Sequence, residues 1–451
     1  SGGHEWHMRS SRYMNGAADK SSFAAALGAP SGPGTSAANL KLTPGALGLQ
    51  RIRSFSNQPL RPVGRMPLPS FYLPYKLRLS PHHDAARRSS IAWARRMGML
   101  DVVPGEFGTG IWTERQLAGF DFALCGAGIH PDASSHQLDL TAGWLTWGTY
   151  ADDFFPLVYN TSRDMTGAKA HIARLYTFMP LDCVSMPTPT NPVERGLGDM
   201  WVRTAAPMSM GARTQLRRSI ETMLGSWLWE LTNHVQNRLP DPVDYVEMRR
   251  ATFGADLTMG LSRLSLGDVV PPEVFQTRTM RSLDGTTADY GGWTNDVFSY
   301  RKEVEFEGEL HNLVLVVEKF LGCAPEEAVA IVVDLMTARL LQFEHVVETE
   351  LEGMFAEFKL GPAAREAVLG YVERQRLYMA GVMNWHVETI RYFDHELEAG
   401  PVARALGVLK GPGHAAAQVA ALFPDRARAP AAKPKFSIPT SPTAPLKLGQ
   451  R

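Results

Sequence analysis

The chain has 451 residues, 44% hydrophobic and 20% charged, an ordinary composition for a water-soluble globular protein. Lysine plus arginine and aspartate plus glutamate both number 46, so the net charge is zero and nothing calls for a nucleic-acid partner. Cys125, Cys183 and Cys323 are odd in number and form no CxxC pair, which argues against a disulfide framework or a cysteine zinc site and predicts free thiols in a reducing cytoplasm. No run reaches the ~18 apolar residues of a membrane span, and the Ser-Gly-Gly-His start has no signal-peptide pattern.

The first element in chain order is Trp6-His7-Met8-Arg9-Ser10-Ser11-Arg12-Tyr13, which returns as Trp385-His386-Val387-Glu388-Thr389-Ile390-Arg391-Tyr392. Four residues match at identical spacing, as expected for a tandem duplication. Residues 1–14 then read as the tail of a preceding unit. Residues 15–66, rich in Gly, Ala, Ser and Pro, cannot build a core and read as a flexible linker. Apolar residues recur at helical spacing through Ala85–Met99, Glu114–Ile129, Gln137–Tyr150, Thr214–Val235, Glu326–Glu352 and Ala363–Phe393. Pro131, Pro180, Pro240, Pro242, Pro271, Pro272 and Pro362 punctuate the joins. The predicted fold is all-α over residues 67–399, with an Ala/Pro-rich, mostly disordered tail at 400–451. There is no βαβ pattern, GxGxxG or P-loop.

Two segments carry candidate chemistry. Ala151-Asp152-Asp153-Phe154-Phe155-Pro156 follows an apolar helix bearing Trp144 and Trp147. Adjacent carboxylates repel unless a cation or solvent screens them, so the pair reads either as a metal-facing helix end or as a solvent-exposed turn. Farther on, Asn295, Ser299 and Glu303 lie at i, i+4 and i+8, on one helix stripe with a modest drift. An amide carbonyl, a hydroxyl and a carboxylate are hard donors that suit Mg²⁺; a solvated polar face is the alternative. Together the two segments are what a multinuclear magnesium site in a helical bundle requires.

These motifs resemble those of class I terpene synthases. Asp152-Asp153 is similar to their Asp-rich motif, Asn295…Ser299…Glu303 to their Asn/Ser/Glu motif, and Arg391-Tyr392 to their C-terminal Arg-Tyr pair. Phe120–Cys125, Gly128–Ala133, Ser226–Leu231, Asp241–Tyr245, Phe306–Glu309 and Gln342–Val347 resemble the C-terminal half of the germacradienol/geosmin synthase group. That likeness covers about residues 67–395 and agrees with the repeat. It implies a helical bundle around a central apolar cavity, up to three Mg²⁺ ions, and an upstream N-terminal synthase domain as partner. The metal set would be Asp152, Asn295, Ser299 and Glu303. Asp152, Asp153, Arg249, Lys302, Arg391 and Tyr392 would act catalytically, with Arg249 as diphosphate sensor and Arg250 as its competitor. Trp144, Trp147, Phe154, Phe155, Phe298 and Trp385 are candidates to line the cavity, against ordinary core packing.

The resemblance implies Mg²⁺-dependent conversion of germacradienol to geosmin with release of acetone. Alternatives are a class I cyclase acting on farnesyl diphosphate and a non-catalytic helical partner of an upstream cyclase. In the Asp-rich segment Pro156 stands where a usual cyclase has a third acid, and Phe154 and Phe155 stand where the resembled group has tyrosines.

Overall fold

Caps and prolines written in the sequence decide where helices begin. The computed structural model describes residues 57–100, 110–266 and 269–399. Trp6–Tyr13, most of the proposed linker and the tail from residue 400 lie outside them. Residues 57–66, assigned to the linker by composition, are anchored among the described residues. Arg61 pairs with Glu318 and donates to the Tyr300 hydroxyl at 2.9 Å, while the backbone N–H groups of Val63 and Gly64 donate to Glu305 at 3.1 and 3.0 Å. These specific polar contacts supply what the Pro/Gly composition lacks.

Helix α1 spans His83–Arg96, α2 Glu114–Phe120 and α3 Phe122–Ile129. The periodicity predicted one helix over Glu114–Ile129. It is broken at Asp121, whose backbone is left-handed (φ 47°) and whose carboxylate caps the Leu124 N–H. Helix α4, Ser135–Phe155, starts with a capping box between Ser134 and Gln137, and a π turn follows over Pro156–Asn160. Helices α5 (Met165–Tyr176) and α6 (Pro192–Ala205) come next, α6 carrying proline at its first position behind an Asn191 cap.

Helix α7 runs over Met210–Gln236, α8 over Pro242–Thr252 and α9 over Ala255–Leu264. Helix α10, Arg278–Arg301, passes into a second π turn, Lys302–Glu307. Helices α11 (Leu313–Leu321), α12 (Pro325–Glu357) and α13 (Pro362–Glu388) complete the bundle, with a 3₁₀ turn at Ile390–Tyr392 and a short α14 at Asp394–Ala399. Helix α13 stops earlier than the predicted Phe393 because Thr389 turns extended. No strand occurs among the described residues, only an isolated bridge between Leu100 and Trp112.

Helices α3 and α13 touch backbone to backbone. A Cβ on Gly128 would lie 2.7 Å from the Gly381 Cα, so only glycine allows this approach. Helix α10 packs on α12 and α13, and α3 packs on α4. The result is an all-α bundle whose staves α3, α4, α7, α8, α9, α10 and α13 surround one cavity. Among the described residues, no helix is long and apolar enough to cross a membrane.

Candidate metal and substrate site

Helix α4 brings Asp152 to the cavity one turn before its end. Steps of three and four residues place Trp144, Leu145, Gly148, Thr149 and Asp152 on one face, and all five line a cavity of about 160 Å³. The Asp152 side chain opens into this cavity and is exposed there, with enough protein packed around it to desolvate the carboxylate in part. Burial and the neighbouring Asp153 push its pKa up to about 6. No hydrogen bond or ion pair from a described residue engages its carboxylate.

Asp153 points away. Arg391 clamps it with two N–H groups at 2.5 and 3.0 Å, and Trp112 Nε1 donates to it at 2.9 Å. Burial works to raise its pKa, but Arg391 and Lys302 outweigh that and hold it below the ordinary carboxylate range. Helix α4 therefore offers one free acid and one locked acid.

Helix α10 and its π turn form the facing wall. Asn295, Ser299, Lys302 and Glu303 line the same cavity as Asp152, together with Arg249, Arg391 and Tyr392. The Ser299 hydroxyl is buried with no hydrogen-bond partner. The Asn295 carbonyl accepts from Arg249 Nη2 at 2.7 Å, and its amide donates to the Tyr392 hydroxyl at 3.0 Å and lies 3.2 Å from His386 Nε2. Glu303 accepts from Asn312 at 2.8 Å. Both π turns adjoin these acids, a placement common at functional sites.

Three cations line the cavity. Arg249 pairs with Asp296 at 2.8 Å, Lys302 with Glu307 at 2.6 Å and Arg391 with Asp153. Asp296 is fully buried, and also accepts from Tyr245 at 2.7 Å and the Leu313 N–H at 3.0 Å. It orients Arg249, a role not foreseen from the sequence. Arg250 is engaged elsewhere, with Asp289 at 2.7 Å, so Arg249 alone of the two reaches the cavity.

The donor set fits a hard cation. Among the described residues no three His, Cys, Asp or Glu side chains converge on one point. An unpartnered Ser299 hydroxyl and two under-compensated acids on facing walls are the groups Mg²⁺ would satisfy. Burial and the nearby Asp296 push Glu303 up to about 8, so at neutral pH it is largely protonated without a cation. Mg²⁺ binding is then expected to release a proton and to tighten by about tenfold per pH unit below pH 8. Calorimetry in buffers of differing ionisation heat would measure it; an affinity flat between pH 6 and 8 would remove Glu303 from the ligand set.

The aromatic assignments need correction. Of the six, only Trp144 and Trp385 line the cavity. Trp147 is fully buried, donating to the Val193 carbonyl at 3.0 Å. Phe154 packs on Tyr150 and Phe155 against Tyr159 and Trp227, both in the core. Phe298 stacks on Phe71 at 5.8 Å outside the cavity. Phe122, Trp227, Phe253 and Tyr378 complete the walls with Trp144 and Trp385. Trp144 lies eight residues before Asp152 on the same helix face; Phe122, Trp227, Phe253 and Tyr378 come from helices whose rotation the sequence does not fix.

Comparison with known proteins agrees with this geometry. A family described as terpene synthase family 2, C-terminal metal binding, matches residues 143–342, the stretch that holds Asp152, Arg249, Asn295, Ser299 and Glu303. Pristinol synthase of Streptomyces pristinaespiralis is 28% identical over 325 residues, covering 71% of this chain and 83% of that protein. Pentalenene synthase of Streptomyces avermitilis is 27% identical over 326 residues, 71% of this chain and 92% of that protein. The crystal structure of germacradien-4-ol synthase from Streptomyces citricolor is similar in fold, with a TM-score of 0.58 at 24% identity, covering 70% of this chain and all of that one.

Proposed function

We propose, from the premise that this chain belongs to the bacterial class I terpene synthases, that it converts germacradienol to geosmin with release of acetone. The observation that carries the finer reading is the single free acid on α4. Asp153 is locked by Arg391 and Trp112, and Pro156 opens a π turn where a third acid would stand. A wall with one available carboxylate suits a substrate that carries no diphosphate.

Asp152, Asn295, Ser299 and Glu303 would hold Mg²⁺, which would supply positive charge between the facing walls. Arg249, Lys302 and Arg391 line the same cavity, each paired with an acid of the fold. The apolar walls exclude water while carbocations form, and the ring faces of Trp144, Trp227 and Trp385 stabilise them. The reaction protonates germacradienol, expels acetone by retro-Prins fragmentation, reprotonates the octalin, shifts a hydride and captures water at the end.

A second reading is cyclisation of farnesyl diphosphate. The three cations that line the cavity favour it, as do relatives named for pristinol and pentalenene. Incubation with Mg²⁺ and either germacradienol or farnesyl diphosphate, followed by gas chromatography–mass spectrometry, separates the two. Geosmin and acetone from germacradienol support the first reading, and a hydrocarbon or alcohol from farnesyl diphosphate alone supports the second. No volatile product from either would point to a non-catalytic partner.

A further inference from the structure

The four residues that the sequence repeats at identical spacing, Trp385, His386, Arg391 and Tyr392, all line the cavity. Arg391 clamps Asp153 on α4, and Trp385 Nε1 ties α13 to the Phe120 carbonyl at 2.7 Å. His386 and Tyr392 both meet the side-chain amide of Asn295 on α10. The repeated set therefore reaches both walls of the metal site. His386 is 3% exposed, and its contacts decide which of its ring nitrogens carries the hydrogen.

Hydrogen-bond accounting leaves one arrangement. His386 Nδ1 lies 2.8 Å from the Val382 carbonyl, which can only accept, so Nδ1 bears a hydrogen. The guanidinium of Arg249 can only donate, so the Asn295 atom 2.7 Å from its Nη2 is the carbonyl oxygen. The other terminus of Asn295 is then the NH₂ group, 3.2 Å from His386 Nε2 and 3.0 Å from the Tyr392 hydroxyl. An NH₂ group only donates, so Nε2 presents a lone pair and the imidazole is neutral. Both amide hydrogens are used. Arg249 takes one lone pair of the amide oxygen, and no other donor among the described residues meets that oxygen.

From this accounting we propose that His386 is a positioning residue: its Nε2 lone pair, with the Tyr392 hydroxyl, holds the Asn295 amide so that the amide oxygen offers its second lone pair to the cation. The proposal rests on the metal reading of Asn295 above and adds the group that orients it. An amide brings no charge to Mg²⁺, so its worth as a ligand lies in where its oxygen points. Stacking keeps the two acceptors side by side. The His386 and Tyr392 rings lie 5.7 Å apart with their planes 6° from parallel, and Phe298 packs on His386 at 5.4 Å.

Two measurements on the full chain test this. Imidazole nitrogen NMR of the metal-free protein at neutral pH is expected to show His386 as a neutral ring protonated at Nδ1. Its signal is identified by its loss in His386→Phe or His386→Gln, and one folded variant suffices. Calorimetric titration with Mg²⁺ then compares the two. His386→Phe keeps a ring for the stack but has no acceptor, and is expected to weaken Mg²⁺ binding about tenfold or more. His386→Gln can place a carbonyl oxygen where Nε2 stood, and is expected to bind within about threefold of wild type. A ring protonated at Nε2 overturns the proposal. So does an affinity within about twofold of wild type in both variants, or an equal loss in both, which would assign the effect to ring packing. Wild type that takes up no Mg²⁺ removes the metal reading of Asn295 and the proposal with it. A wrong tautomer strikes the proposal alone, so the two failures are told apart.

Discussion

Glu303→Gln is expected to abolish product formation, lowering kcat/KM by about a hundredfold or more, while the fold persists. The substitution keeps shape, and the glutamine carbonyl can still accept from Asn312 at the 2.8 Å contact Glu303 makes. What is lost is the only carboxylate in the Asn295/Ser299/Glu303 set, and Mg²⁺ binds by charge and strict geometry. Stability moves the other way. Because burial and Asp296 raise Glu303 to about 8, its charged form is disfavoured in the folded state. Metal-free stability is thus fullest below the ordinary carboxylate range and falls as pH climbs toward 8. The glutamine variant escapes that fall, so in EDTA at pH 8 it is expected to melt no lower than wild type. Mg²⁺ should raise the wild-type melting temperature and leave the variant's unchanged. Asn295→Ala is expected to lose activity similarly. Full turnover by Glu303→Gln would make the facing carboxylate a relic.

What the sequence revealed and what it hid divide along a physical line. Asn295, Ser299 and Glu303 lie within nine residues, and helical periodicity alone brings them to one stripe. Asp152 was recognisable because an acid pair at the end of an apolar helix is costly without a partner. The partner of Asp153 was not recognisable, because Arg391 is 238 residues away. Nor was the role of Asp296, whose burial depends on Tyr245 and the Leu313 N–H arriving from other helices. Composition failed at residues 57–66, where Arg61, Val63 and Gly64 find acids on the bundle. Periodicity failed at Asp121, where one left-handed residue splits a helix without interrupting its apolar pattern. Among the aromatic assignments Trp144 and Trp385 reach the cavity and Phe154 does not, because helix angle decides: Phe154 lies two residues, about 200°, from Asp152 and faces the core.

The largest stability effect is expected at Arg391. Its guanidinium is 7% exposed, rests over the Phe120 ring at 5.1 Å and clamps Asp153. Replacing it by Met keeps much of the volume but leaves Asp153 buried with Trp112 as its remaining donor. Removing one member of a buried pair typically costs ~3–5 kcal/mol, because the other charge stays uncompensated. Replacing both, as Asp153→Leu with Arg391→Met, removes that charge and is expected to recover most of the loss. The pH dependence identifies the cause. In wild type the clamp depresses the Asp153 pKa, so its contribution is present above the ordinary carboxylate range and is lost as pH falls through the lowered value. Without Arg391, burial, the largest influence on Asp153, favours the protonated form, so the variant suffers most where the acid is charged. The gap in melting temperature between wild type and Arg391→Met is therefore expected to be wide at pH 7 and to narrow steadily toward pH 4. Thermal scans across that range measure it. A gap that stays constant with pH would mean that Arg391 stabilises the fold through its packing on Phe120, and that the locked state of Asp153, with the one-acid wall it leaves on α4, is not enforced by charge.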